Sequence, residues 1–309
     1  MAARATRSAS RKARLTEAVA TGPLGALSHD ELGVIVDGLA DPLQPGVAVA
    51  LSSTCLGLRT PLRLALEVLK ERHERAAALC RKMLTSCASV RVSELLSWNI
   101  KDMNSWNDMT TLNMILRTNG LPRLQRLYLG SNFGDAGIQG LCEGLGHGAA
   151  PLLRLLHLSD NQFGPLGAEA LSAALRRGAM PKLETLWLSH NPIGNQGLAA
   201  LAAPLRARPA LKELRLVKSE LGDEGVASLV ANLGKDDFKK LERLYLVDNS
   251  LNYTLKSCRT LVSVIDEGGL PALGEIGVFS DYNPASALGA GQKALEDALI
   301  ARRGACMLK

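Results

Sequence analysis

No apolar run in this chain reaches the twenty or so residues that a membrane-spanning helix needs, and no hydrophobic leader segment opens it. A soluble, cytoplasmic protein without a membrane partner is expected, with residence in the nucleus also compatible. The six cysteines, at positions 55, 80, 87, 142, 258 and 306, show neither zinc nor redox spacing. They are expected to be reduced thiols, several of them buried. His73, Cys80 and Cys87 share one helical face, but the sequence offers no fourth ligand, so no metal site and no cofactor is expected. Catalytic signatures are also missing. There is no phosphate loop of the Gly-x4-Gly-Lys type, no histidine pair at metalloprotease spacing and no nucleophile elbow. His157 and His190 fall near Ser159 and Asp160, a polar cluster that any turn of this kind carries. The expectation is a protein that is not an enzyme.

Basic excess is confined to one place. The net charge is +6, but Arg4, Arg7, Arg11, Lys12 and Arg14 precede the first acid, Glu17, and account for five of those charges. The rest of the chain is close to neutral, so a basic groove for phosphate is not supported and nucleic acid is not expected as a partner.

What the chain has in abundance is leucine at a fixed period. From Leu95 to Leu299 one phrase recurs seven times at intervals of about thirty residues. Its clearest copies read Leu124, Leu127, Leu129, Asn132, Gly134, Gly137, Leu141, Leu145; then Leu153, Leu156, Leu158, Asn161, Gly164, Gly167, Leu171, Leu175; then Leu183, Leu186, Leu188, Asn191, Gly194, Gly197, Leu201, Leu205. Leucines two apart point to one face of a strand, and leucines four apart lie on one face of a helix. A strand, a turn and a helix in thirty residues cannot bury their own apolar faces, so the copies must stack into a solenoid. The fourth full copy keeps the frame with Ser219 in place of the asparagine and Leu229 and Leu233 as its helix pair. The next keeps Leu241, Leu244, Leu246 and Asn249, with Leu261 and Ile265 two residues late. Degenerate copies at the two ends, around Trp98 and Ile276, have the character of terminal caps.

This pattern resembles the leucine-rich repeat family, in its long-repeat, ribonuclease-inhibitor-like class. The resemblance covers about two thirds of the chain. It implies an α/β solenoid with a curved parallel sheet on the concave face and helices on the convex face. It also implies that Asn132, Asn161, Asn191 and Asn249 bond turn backbone between neighbouring coils. The paired glycines are expected to permit a tight entry into each helix.

Ahead of the repeats the chain divides into a basic arm, residues 1–22, and a helical module, residues 23–90; the solenoid takes residues 91–309. The arm, rich in Ala, Ser, Thr and Arg, reads as disordered; an organelle transit peptide and a nuclear address share its composition. In the module, Ser28 and Glu31 have capping-box spacing before Leu32, Ile35, Val36 and Leu39, and Asp41, Pro42, Pro45 and Gly46 end that helix. The segment Leu27, Leu32, Ile35, Leu39, then Leu51, Cys55 and Arg59, resembles the F-box, a helical adaptor-docking motif. It departs from that motif at Ser28, where proline is usual, and at Leu58, where tryptophan is common. A plain N-terminal cap of the solenoid is the competing reading. After Thr60 and Pro61, a helix start, Leu62, Leu66, Leu69, His73, Ala76, Cys80, Met83 and Cys87 form a seam at steps of four and three. At the far end, Cys306, Met307, Leu308 and Lys309 imitate a prenylation tail, but lysine does not suit the last place, and a final helix from Lys293 to Arg303 is expected instead.

The residue between the last two leucines of each strand phrase must point away from the core. Down the repeats that position reads Asn99, Tyr128, His157, Trp187, Arg215, Tyr245 and Gly277. Three of these seven are aromatic in a chain that is only 4% aromatic, which singles the column out as a binding strip. The column beside it holds Ser97, Arg126, Leu155, Thr185, Glu213, Arg243 and Glu275. Tyr, Trp and Arg dominate protein interfaces. Tyr128, His157, Trp187, Arg215 and Tyr245, with Arg126 and Arg243, are therefore the candidate contacts for a protein or extended peptide.

The expected function is non-enzymatic protein recognition. If the module is an F-box, the resemblance implies a substrate receptor of a cullin-type ubiquitin ligase, with Leu27, Leu32, Ile35 and Leu39 contacting the ligase adaptor. The alternative is an enzyme regulator, akin to Ran GTPase-activating proteins or ribonuclease inhibitors, or a cytoskeletal or organelle scaffold. The activators carry an acidic C-terminal tail, whereas this chain ends on Arg302, Arg303 and Lys309.

Overall fold

The computed structural model describes residues 41–42, 45–46, 49–50, 63–82, 97–100, 106–118, 120–130, 132–146, 148–247, 249, 255–278 and 287–307. The chain forms two compact units, Met1–Val92 and Ser93–Lys309. In the first, helix α1 (Arg63–Lys82) buries Leu69, Ala76, Leu79 and Cys80 and half-buries Leu66 and His73. These are the described members of the seam, joined by Leu79. His73 Nδ1 donates to the Pro42 carbonyl at 2.7 Å, which fastens the proline-rich break to the helix. Leu27, Leu32, Ile35 and Leu39, and the basic arm, lie outside the described residues.

The second unit alternates strand and helix. Its elements are β1 (Ser97–Ile100), α2 (Trp106–Thr118), β2 (Arg126–Leu129), α3 (Gly134–Leu145), β3 (Leu155–His157), α4 (Pro165–Arg176), β4 (Thr185–Trp187), α5 (Gly194–Arg206), β5 (Glu213–Arg215), α6 (Asp223–Val230), β6 (Arg243–Tyr245), α7 (Leu255–Asp266), β7 (Glu275–Gly277) and α8 (Ala287–Met307). The strands form one parallel sheet in sequence order, β1 to β7. Leu127, Leu156, Leu186, Leu214 and Leu244 lie in register and fully buried, as do Leu129, Leu158, Leu188, Leu216 and Leu246 one pleat further on. The helices meet them with Leu141 and Leu145, Leu171 and Leu175, and Leu201 and Leu205, all buried. The second glycine of each pair serves close packing. A Cβ on Gly137 would stand 2.5 Å from Phe133 Cβ, and one on Gly197 would stand 2.7 Å from Ile193 Cγ2.

Two helix expectations need correction. Helix α6 stops at Val230, so Leu233 falls outside it and is only half-buried; Phe238, fully buried, supplies the missing volume. The last helix is longer than Lys293–Arg303, running from Ala287 to Met307. Its glycines suggest a later start, but one of them, Gly291, is buried, and the next residue does specific work. Gln292 Oε1 accepts from Val278 N at 3.2 Å and its Nε2 donates to the Ile276 carbonyl at 3.0 Å. In the preceding repeats that strand N–H donates to the next strand, as Leu246 N does to the Gly277 carbonyl at 2.7 Å. Gln292 thus stands in for an eighth strand.

Hydrogen bonds also tie the helices of successive coils. Asp135 Oδ1 accepts from Gly164 N and Gly167 N at 2.8 and 2.7 Å, capping α4 from the previous repeat. Asn195 does the same for α6 through Gly222 N and Gly225 N. Inside α5, Pro204 lacks the N–H that would bond Ala200. That carbonyl is satisfied from the neighbouring coil instead, by Ser172 Oγ at 2.7 Å and Arg176 Nη2 at 3.4 Å.

The asparagines split into two kinds. Asn161 and Asn191 are fully buried. Asn191 Nδ2 donates to the carbonyls of Leu158, Leu188 and Ser189 at 2.8, 2.8 and 3.1 Å, while its Oδ1 accepts from Asn161 N at 2.9 Å. Asn161 bonds Leu129, Leu158 and Ser159 in the same way, and Asn249 bonds Leu216, Leu246, Ser219 and Leu221. Asn132 does not take this role. Five positions separate Leu129 from Gly134, against six from Leu158 to Gly164 and from Leu188 to Gly194, so the shorter turn has no buried slot for it. Asn132 is exposed in the left-handed region (φ 59°), and its Oδ1 accepts from Gln162 Nε2 at 2.9 Å. Replacing Asn191 with Ala should strand several buried groups and lower unfolding stability by about 3 kcal/mol or more. Asn132→Gly suits that backbone and should change it by about 0.5 kcal/mol or less. Urea unfolding of the two variants checks the distinction; equal losses would refute it.

Candidate protein-binding surface

Every residue expected in the outward column is in register. Asn99 pairs with Tyr128, Tyr128 with His157, His157 with Trp187, Trp187 with Arg215, Arg215 with Tyr245, and Tyr245 with Gly277. Tyr128, His157, Trp187, Arg215 and Tyr245 stand on the sheet face opposite the leucines because strand side chains alternate. Tyr128, His157, Trp187, Arg215 and Tyr245 are each half-buried, and what covers them is one another. The Tyr128 and His157 ring centroids are 5.8 Å apart, and His157 meets Trp187 edge-on at 5.0 Å. Arg215 continues the stack with its guanidinium carbon 4.5 Å from the Trp187 ring centre and 4.7 Å from that of Tyr245. The strip is one continuous pile across five strands. At its end Gly277 lets the Tyr245 ring lean onto β7, since a Cβ there would be 3.3 Å from Tyr245 Cδ1.

The stack is held from the flanking column by Glu213, which the sequence places there without marking its importance. Glu213 is 5% exposed. Its Oε1 accepts from Trp187 Nε1 at 2.9 Å and from Arg215 Nε at 2.5 Å, and its Oε2 accepts from Arg243 Nε at 2.9 Å. Burial pushes its pKa up, but donation from Arg215, Arg243 and Trp187 outweighs burial and holds the carboxyl below its ordinary value. A usable signal was present: an acid two residues before an arginine shares its strand face, and parallel register adds a second arginine beside it. Arg243 is therefore bound to Glu213, while Arg126 is exposed. Tyr245 Oη donates to Glu275 Oε1 at 2.8 Å.

A second carboxylate node lies at the residue that precedes the strands. Glu184 pairs with Arg154 and, at 3.0 Å, with Lys212 Nζ. Burial alone would raise its pKa; the two cations hold it low. Among the described residues no group of three or more His, Cys, Asp and Glu is placed to hold a metal. No described helix is long and apolar enough to cross a membrane. Burial pushes the Cys142 thiol up to about 12 and that of Cys258 to about 11, so neither is a thiolate at neutral pH. The arrangement offers ring edges, hydroxyls and guanidinium groups on a rigid sheet, which is the chemistry of recognition.

Three consecutive segments, residues 149–172, 179–202 and 209–230, match the family model described as leucine rich repeat. Each includes one strand and part or all of the following helix, and the architecture of the second unit is a leucine-rich repeat α/β solenoid. No curated protein matches the chain. Among solved structures, the chain is similar to one titled Leiomodin-1 Actin-Binding Site 2 (ABS2), at 12% identity, over 76% of this chain and 91% of that one, with a TM-score of 0.35.

Glu213→Gln should lower stability by about 2 kcal/mol at neutral pH, because two arginines lose their shared counter-charge. The native pKa is depressed, so the wild-type contribution is complete above the ordinary carboxylate value near ~4.3 and is lost as pH falls through the native one. The gap between the two proteins should therefore close in acid. A gap constant from neutral pH to pH 2 in thermal melts would show that the carboxylate charge is not what stabilises the strip.

Proposed function

We propose that this protein is a non-enzymatic recognition protein whose sheet, on the face opposite its helices, holds a protein partner. One observation carries the reading: Tyr128, His157, Trp187, Arg215 and Tyr245 form an in-register strip on that face, half-exposed and already stacked. Such anchors dominate interface energies, and side chains fixed before binding lose less entropy on contact. Successive strand leucines, from Leu127 to Ile276, stand 28 to 32 residues apart. That long spacing supports placing the repeats in the ribonuclease-inhibitor-like class.

Within this reading the N-terminal unit is an F-box-type docking module, and the solenoid is the substrate receptor of a cullin-type ubiquitin ligase. The segment Leu27, Leu32, Ile35 and Leu39 supports it, and so does the apolar surface of the same unit. Leu64 is 75% exposed, Val68 44% and Val49 52%. A cavity of about 360 Å³ lies between α1 and the two residues Pro45 and Val49, lined by Leu66, Leu69 and His73 among others. Such apolar surface on a small unit marks a contact site.

Trp187→Ala and Tyr128→Ala should each weaken partner binding by about 2 kcal/mol, or roughly thirtyfold, and lower stability by only about 1 kcal/mol. Unfolding of either variant would make the rings structural and end the binding reading. For the docking module, Leu32, Ile35 and Leu39 changed together to polar residues should abolish binding of a purified ligase adaptor with the solenoid still folded. Absence of adaptor binding by the unmodified chain would leave an enzyme regulator or scaffold that uses the same sheet face.

A further inference from the structure

The charges on the open sheet face, and those at the residue that precedes the strands, are almost all paired with one another. Arg215 and Arg243 share Glu213, and Arg154 and Lys212 share Glu184. Two charges are left over among the described residues of the strands. Arg126, on β2, is exposed and pairs with no acid. Glu275, on β7, is exposed and accepts the Tyr245 hydroxyl, but pairs with no cation. They occupy the same column of the sheet, at opposite ends of the stacked strip.

The dimensions of the face decide how a ligand can use both. Each strand has three or four residues, so the face is only about 10–13 Å deep along the strands. Across the strands, β2 and β7 are five steps apart, or about 24 Å at ~4.8 Å per step. Ring-to-ring distances of 5.0 and 5.8 Å within the strip agree with that step. Strands β2 to β6 are paired on both edges, which leaves no free backbone there for an added strand. A ligand must therefore run across the strands and touch side chains. An extended chain covers 24 Å in about seven residues.

Resting on the recognition reading above, we propose that the occupant is an extended segment of another protein laid across the strands, with an acidic side chain over Arg126 and a basic one over Glu275, about seven residues apart. The residues between them are apolar or aromatic, because they lie on the ring edges of Tyr128, His157, Trp187 and Tyr245. Arg215 and Arg243 are balanced by two acids, Glu213 and Glu242, the latter 3.7 Å from Arg243, so the middle of the strip is neutral and charge complementarity falls at the ends. This sets the register of the segment.

The test is selection of random displayed 16-residue peptides on the full chain, followed by titration of labelled winners. Arg126→Glu, Glu275→Lys and Trp187→Ala are run in parallel, and melting curves confirm their folding. The expected winners carry Asp or Glu and Lys or Arg separated by about seven residues. Arg126→Glu should shift the winners to peptides with two bases at that spacing and weaken the original peptide about five- to tenfold. Winners without the spacing, or winners unchanged by Arg126→Glu and Glu275→Lys but lost with Trp187→Ala, would overturn the charge register and keep the strip. Winners indifferent to all three variants would overturn both.

Discussion

Each coil of this solenoid turns sharply after a strand of three or four residues, and the turn points its carbonyls into the protein, where water cannot reach them. An unpaired buried carbonyl or N–H costs about 1–3 kcal/mol, and a stack of seven coils would multiply that cost. The amide of Asn191 meets the requirement because it carries donor and acceptor together, and reaches two coils at once. A strand can therefore sit at this register only when its neighbour does. The same dependence recurs on the helical side. Asp135 and Asn195 cap helices that belong to the following coil, and Ser172 completes the carbonyl left open by Pro204 of the next. Stability in this molecule is a property of interfaces between repeats. The stack can end only where a side chain imitates the missing neighbour, and Gln292 does this for β7.

Fixed register is also what makes a surface. Because the buried leucines align across strands, the outward residues align too, and side chains some thirty residues apart in sequence come within van der Waals range. Five large side chains at a spacing near 5 Å have no room to rotate independently, so they stack. An arginine between two rings would ordinarily repel its neighbour Arg243. Glu213 removes that conflict by accepting from both, and it aligns the indole by accepting from Trp187 as well. The strip is thus rigid for two reasons, ring packing and one shared carboxylate.

The repeat, its strand–helix alternation and the outward column were legible because all three follow from leucine spacing. What was not legible depended on counting from the other end of the turn. Asn132 stands three residues after Leu129, as Asn161 does after Leu158, yet its turn reaches the next glycine one residue sooner and the buried slot disappears. The leucine pattern alone could not reveal this; the distance to the next glycine could. Leu233 failed for a related reason. Helix α6 ends early at Val230, and a phenylalanine eight residues further on supplies the volume. Glu213 was visible as a residue and invisible as a node, since its three partners lie on three different strands.

A surface that is stiff before its ligand arrives has a consequence for selectivity. Little of the binding free energy is consumed in ordering the strip, so modest contacts suffice for affinity, and ring edges accept many apolar side chains. Discrimination must then come from groups that tolerate only one kind of partner. Inside the strip the charges cancel, and a ligand charge placed there would lose hydration without gaining a free counter-charge. At Arg126 and Glu275 the opposite holds, because each gains a counter-ion only from outside. The physical logic that neutralises the centre is the same one that leaves its two ends to specify what binds.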